Sequence, residues 1–140
     1  NWVPKSTVFV VDEDPAVRAS AQILVESAGL QVETFHSAKQ FLKDYSIDQI
    51  GCLLLNTSMP GLSTLELARE LSEHKSSLPI IIITSSQDEI PANLRSKLST
   101  TIDFIDKPFK NVDFLGSVKA ALALDSKNQK KRLQYNPEDR

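Results

Sequence analysis

The chain reads as an α/β domain: a parallel sheet with helices covering both of its faces. Two observations predict this. Val8-Phe9-Val10-Val11, Cys52-Leu53-Leu54-Leu55 and Ile80-Ile81-Ile82-Ile83 are apolar runs without polar alternation, so each strand should be covered on both sides. Between such runs lie segments with helical apolar spacing, so that five strands alternate with five helices. That alternation is the pattern of right-handed parallel crossovers.

Residues 1 to 6 read as a frayed start, with Trp2 and Val3 packing locally. Val8 to Val11 is the first strand and stops abruptly at Asp12-Glu13-Asp14-Pro15. Pro15 suits the first turn of a helix, and acids just before it favour the positive helix end. Val17, Ala21, Leu24, Val25 and Ala28 share one face of that helix, and Gly29 closes it. Val32 and Phe35 bracket a short strand with polar neighbours, which suits a sheet edge. Ser37 with Gln40 resembles a capping box and opens a helix carrying Phe41, Leu42 and Tyr45. The central strand, Cys52 to Leu55, ends on Asn56, and a loop closed by Met59-Pro60-Gly61 follows. Thr64 to Glu73 is a third helix, with Leu65, Leu67, Ala68 and Leu71 apolar. Pro79 precedes the strand Ile80 to Ile83, which ends in Thr84-Ser85-Ser86. Glu89 to Leu98 is a fourth, poorly apolar helix with Pro91 in its first turn. Ile102, Phe104 and Ile105 form the last strand, closed by Lys107-Pro108-Phe109. Asn111 caps a final helix whose apolar face is Val112, Leu115, Val118, Ala121 and Leu122.

Composition narrows the function classes. A length of 140 residues suits one domain, and 41% apolar with 24% charged residues is ordinary for a globular chain. A net charge of −2 gives no domain-wide nucleic-acid footprint. No run approaches the roughly 18 apolar residues of a membrane span, and no signal-peptide pattern is visible. The one cysteine, Cys52, cannot form an internal disulfide and reads as a small buried residue in a reducing, cytoplasmic setting. Lys127, Lys130, Lys131 and Arg132 cluster in a tail, read as a solvated linker or helix extension.

Each strong strand ends in a residue suited to one site: Asp12 and Glu13, then Asn56, then Thr84 and Ser85, then Lys107. In a parallel sheet these ends lie side by side, at the edge where open α/β sheets place their sites. Two acids beside an oxygen ligand suit Mg²⁺. A lysine ammonium and a threonine hydroxyl suit phosphoryl oxygens.

At these residues the chain resembles a known family. VFVVDEDPAVR, GCLLLNTSMPGLSTLEL, PIIIITSS and DFIDKPF, in this order and spacing, resemble the receiver domain of two-component response regulators, in the branch typified by FixJ. Receivers of that branch usually precede a LuxR-type helix-turn-helix. The resemblance covers residues 6–124 and leaves 125–140 as a linker or C-terminal tail. It implies a flavodoxin-like (βα)5 fold with strand order 2-1-3-4-5. It implies metal binding by Asp12 and Glu13, with Asn56 and the Thr57 carbonyl completing the Mg²⁺ site. It implies a switch hydroxyl at Thr84, a switch aromatic at Phe104 and a phosphoryl-contacting Lys107, with a cis bond at Lys107-Pro108. The family is a signalling switch and not an enzyme. Its partners would be a sensor histidine kinase or another signalling protein, and a second copy through the face built by the fourth helix, last strand and last helix. DNA would be reached only through a separate C-terminal helix-turn-helix domain.

Asn56 stands where the family has its phospho-accepting aspartate. An amide nitrogen is delocalised into its carbonyl and is a poor nucleophile, so this form should not be phosphorylated. Loss of one negative charge should leave Mg²⁺ weakly bound or absent. The asparagine is either natural, in a degenerate receiver, or an engineered block. Thr64, where glycine is common, and Ser99-Thr100-Thr101, where small residues are usual, favour the natural origin. The alternative reading is a small flavodoxin-like cofactor-binding or hydrolytic protein. Against it, the first strand leads into acids where a flavin binder needs a phosphate loop. Ser58, Ser85 and Ser86 could serve as nucleophiles, but His36 and His74 read as surface residues away from that edge.

Overall fold

In the computed structural model, residues 6–46, 49–56, 64–73, 76, 78–84, 101–106 and 109–134 are described. They form β1 (Thr7–Val11), α1 (Pro15–Ser27), β2 (Gln31–Phe35), α2 (Ala38–Asp44), β3 (Gly51–Asn56), α3 (Thr64–Glu73), β4 (Ile80–Thr84), β5 (Thr101–Asp106) and α4 (Asn111–Gln134). The Glu89–Leu98 helix, the loop 57–61, the 1–5 segment, the Lys107-Pro108 bond and residues 135–140 lie outside the described residues. The five strands are parallel throughout, in the order β2-β1-β3-β4-β5. This is the flavodoxin-like order.

Alternate residues of the apolar runs divide between two cores, as the pleat requires. Phe9, Val11, Leu53, Leu55, Ile80 and Ile82 pack with Phe41 of α2 and with Leu67 and Leu71 of α3. Val8, Val10, Cys52, Leu54 and Ile81 pack on the other side with Val25 of α1 and with Phe114, Val118, Ala121 and Leu122 of α4. Each fully buried Leu or Ile contributes about 1.5–3 kcal/mol relative to exposure. Neither face of β3 meets water: Gly51 to Leu55 are all buried. β2 is an edge strand, and Gln31 and Glu33 on it are exposed.

Helix ends follow their sequence signals. Asp14 caps α1 by accepting the Ala16 N–H at 2.9 Å, with Pro15 as the first helical residue. Gly29, at φ 77°, closes α1. Its N–H reaches the Glu26 carbonyl, and the Leu30 N–H the Val25 carbonyl; together these make a Schellman motif. At α2 the Ser37 hydroxyl accepts the Gln40 N–H at 3.1 Å. Gln40 returns its bond to His36 N–H at 3.0 Å, one residue earlier than an ideal capping box. An aromatic cluster ties β1, β2 and α2. Phe9 meets Phe41 and Tyr45 edge-on, at 5.6 and 5.9 Å between ring centroids, the geometry that ring quadrupoles favour.

Two expectations for the last helix need correction. Asn111 is its first helical residue; the Lys110 carbonyl accepts the first intrahelical bond, from Phe114 N–H at 3.0 Å. Val112 is 72% exposed, and Phe114 takes its place in the core. The buried residues are Phe114, Val118, Ala121, Leu122 and Asp125, at spacings of four, three, one and three, which follow the helix better than a run of threes. The helix continues without interruption to Gln134, which agrees with the helix extension read for the tail.

Two tests follow from β3. A Cβ on Gly51 would lie 1.8 Å from the Thr7 carbonyl oxygen, and backbone cannot yield as a flexible side chain can. Gly51→Ala should lower unfolding stability by about 3 kcal/mol in urea titration; a loss within experimental error would show that β1 and β3 can separate here. Burial, aided by the nearby Asp125 charge, pushes the Cys52 thiol up from 9.0 to about 12. The unfolded thiol then ionises before the folded one. Stability should be unaffected by this group below pH 9 and should fall as pH rises from there toward 12. Cys52→Ala should flatten that alkaline slope in denaturation curves.

Candidate functional site

The strand ends assemble at the carboxyl edge. Val11 pairs with Phe35 on one side and with Leu55 on the other. Asp12 and Asn56 therefore each follow a paired residue on neighbouring strands. Asn56 pairs with Ile83, and Thr84 with Asp106. Phe104 lies in β5 opposite Ile82. Thus Asp12, Glu13, Asn56 and Thr84 come together at this edge by backbone placement. Thr57 and Lys107 lie outside the described residues, as do Ser58, Ser85, Ser86 and His74.

The turn from β1 to α1 is built from its own residues. The Asp12 N–H extends the ladder to the Phe35 carbonyl at 3.1 Å. Asp12 is only 7% exposed, and its Oδ1 accepts the Asp14 N–H at 2.9 Å. A carboxylate that accepts a backbone N–H turns the chain two residues on, as an Asx turn does. Asp14 then spends its own side chain capping α1. The Arg18 guanidinium donates to the Asp12 carbonyl at 2.6 Å, bracing the turn from the first helical turn onward. Glu13 is exposed. The three acids of the sequence therefore divide: Asp14 is a helix cap, Asp12 is buried and turns the chain, and Glu13 is exposed just beyond the end of β1.

These donors suit a hard cation by their chemistry. A carboxylate at Asp12, another at Glu13 and the amide at Asn56 are all oxygen ligands, the set Mg²⁺ takes. Among the described residues no group of three or more His, Cys, Asp or Glu is gathered as a metal site. With asparagine at position 56, the acids that the sequence singles out here number two.

Some residues of this edge were not legible beforehand. Arg18 has a signal in retrospect, since it stands one helical turn after the capping Asp14. Asp106 ends β5 opposite Thr84, an acid that the apolar pattern of β5 passes over. His36 needs correction. It follows Phe35, whose carbonyl is bonded to Asp12, so its backbone belongs to the same edge although it is exposed. Its N–H is engaged by Gln40. An apolar groove of about 610 Å³ also opens beside Asp12, between Val17, Ile23 and Leu24 of α1 and Phe109 and Phe114 near α4.

Comparison with known proteins bears on this edge. The family model of the response regulator receiver domain matches residues 8–119. The response regulator protein TodT of Pseudomonas putida is 40% identical over 119 residues, covering 85% of this chain and 52% of TodT. The transcriptional regulatory protein FixJ of Bradyrhizobium diazoefficiens is 31% identical over 118 residues, covering 84% of this chain and 57% of FixJ. The chain thus spans about half the length of the curated relatives it matches. Among solved structures, the response regulator StyR superposes with a TM-score of 0.84 at 36% identity, covering 91% of this chain and 64% of that one. FixJ-N superposes with a TM-score of 0.76 at 31% identity, covering 86% of this chain and 96% of that one.

The turn itself is testable. Asp14→Ala removes the cap and should cost about 1 kcal/mol of stability, read by thermal or urea unfolding. Asp14→Asn should cost much less, because an amide oxygen can also accept the Ala16 N–H. Equal losses in the two variants would mean that Asp14 acts through its charge and not through the cap.

Proposed function

The chain belongs to the response regulator receiver domain family, and from that premise we propose that it is a switch module of a two-component phosphorelay whose acceptor position is blocked by Asn56. The observation that carries this reading is the placement of Asn56 at the carboxyl end of β3, one residue beyond the Leu55 that pairs with Val11, as Asp12 is one residue beyond Val11. A phosphoryl acceptor at this position needs a carboxylate oxygen as its nucleophile. The amide cannot supply one at neutral pH, so the module signals by binding and not by carrying a phosphoryl group.

The remaining residues keep the roles the family pattern suggests. Asp12 and Glu13, with Asn56 and the Thr57 carbonyl, hold Mg²⁺, which when bound offsets charge on phosphoryl oxygens. With one anionic ligand replaced by a neutral amide, that site binds the cation weakly. Thr84 and Phe104 are the switch pair, and Lys107 is the phosphoryl contact. The departures at Thr64 and Ser99 to Thr101 support a natural origin for Asn56.

The receiver is read as residues 6–124, with 125–140 as a linker or C-terminal tail, although Asp125 itself is still packed against β3. The partner is a sensor histidine kinase or another signalling protein in the cytoplasm. A second copy would dock on the face that includes β5 and α4. DNA contact belongs to a separate helix-turn-helix domain; among the relatives, FixJ is a transcriptional regulatory protein about one and a half times this length. Among the described residues no helix is long and apolar enough to cross a membrane.

Labelled acetyl phosphate and Mg²⁺ titration, followed by NMR amide shifts, test the proposal on this protein and on Asn56→Asp. The protein as it stands should take up no label. Asn56→Asp should be labelled, should respond to beryllofluoride, and should bind Mg²⁺ at least about tenfold more tightly, as one restored charge in a polar site implies. Labelling of the asparagine form would sink the reading.

A further inference from the structure

The amino edge of the sheet holds a buried charge that the proposed switch does not use. Asp125 of α4 has no exposed surface. Its Oδ2 accepts the backbone N–H of Gly51, the first residue of β3, at 2.8 Å. The place is crowded: the Thr7 N–H is bonded to the Ile50 carbonyl at 2.9 Å, and Gly51 approaches Thr7 so closely that no Cβ would fit.

A carboxylate is a costly choice for this position. Asp125 ends the stripe begun by Phe114, Val118 and Ala121, and an apolar side chain would fill it without desolvating a charge. What the carboxylate adds is direction. A charge-assisted hydrogen bond to a fixed backbone N–H specifies both a distance and an angle, which an apolar contact does not. The position has leverage as well. Asp125 is the last residue of α4 described as buried, and the helix runs on through residues 126–134. At 1.5 Å per residue that segment is about 13 Å long, so a small swing at Asp125 becomes a large displacement at Gln134.

We propose that Asp125 is a positioning residue: its hydrogen bond to Gly51 fixes the direction in which α4 leaves the sheet, and so ties residues 126–134 to the strand whose far end is Asn56. Gly51 and Asn56 are the two ends of one strand buried on both faces. Whatever contacts the segment 126–134 is thereby held at a set angle to the strand that carries the candidate acceptor position. The inference concerns the opposite edge of the sheet, and it stands or falls separately from whether Asn56 accepts a phosphoryl group.

Residual dipolar couplings of backbone amides test it on the whole chain. In the unmodified protein, amides 126–134 should fit the same alignment tensor as β3 and β4. They should still do so in Asp125→Asn, because an amide oxygen can accept the Gly51 N–H. In Asp125→Ala the strands should keep their couplings while those of 126–134 fall toward zero, and the Gly51 amide should exchange about tenfold faster. Asp125→Ala couplings that still fit the shared tensor would overturn the proposal, whatever the loss in melting temperature. So would loss of alignment in Asp125→Asn equal to that in Asp125→Ala. If Asp125→Ala does not fold, native-state hydrogen exchange of the unmodified protein decides. Gly51 should open together with the last turns of α4, and opening only with Leu53 and Leu54 would overturn the proposal.

Discussion

β3 has no solvent face. Cys52 and Leu54 point into the core shared with α1 and α4, while Leu53 and Leu55 point into the core shared with α2 and α3. A strand enclosed in this way can carry polar function only at its two ends, because a polar side chain between them would be buried without a partner. Both ends are used. The carboxyl end places Asn56 beside the turn that carries Asp12. The amino end places the Gly51 N–H against the Asp125 carboxylate. The parallel order β2-β1-β3-β4-β5 puts β3 in the middle of the sheet. Every other strand end is thereby positioned with reference to it.

At the carboxyl edge, local hydrogen bonds decide which acids are structural. Three acids follow one another at Asp12, Glu13 and Asp14, and by charge alone they are equivalent. Geometry separates them. Asp14 caps α1, Asp12 turns the chain through its Oδ1, and Arg18 holds the Asp12 carbonyl from the helix side. The turn is braced by bonds among its own residues. A change between amide and carboxylate at position 56 alters charge and nucleophilicity at the neighbouring strand end.

Much of the fold was legible because its signals are local or periodic. Three unbroken apolar runs announce strands buried on both faces, and Pro15, Gly29 and Ser37 with Gln40 announce helix ends. Each of these reads the same in the structure, since capping and φ preference act within a few residues. The family blocks likewise placed Asp12, Asn56 and Thr84 on strand ends that the register brings together. The face of α4 was misread because a helix only partly covered by its neighbours can be phased in more than one way. Val112 and Phe114 are both apolar, and only the packing against β3 and β4 selects Phe114. His36 was misplaced because which strands are neighbours is not a local property. Its nearness to Asp12 follows from β2 lying against β1.

The sequence by itself determined the class of fold, the strand and helix ends that caps and glycines mark, and the identity of the residue at position 56. These depend on side-chain chemistry and on contacts within a few positions. Only the tertiary structure decided the meeting of Asp125 with Gly51, the bracing of Asp12 by Arg18 and the choice of Phe114 over Val112. Asp125 and Gly51 are 74 residues apart, and no periodicity links a helix residue to the backbone N–H of one particular strand. A buried aspartate in an amphipathic helix reads as a surface charge until the sheet beneath it shows which donor it faces.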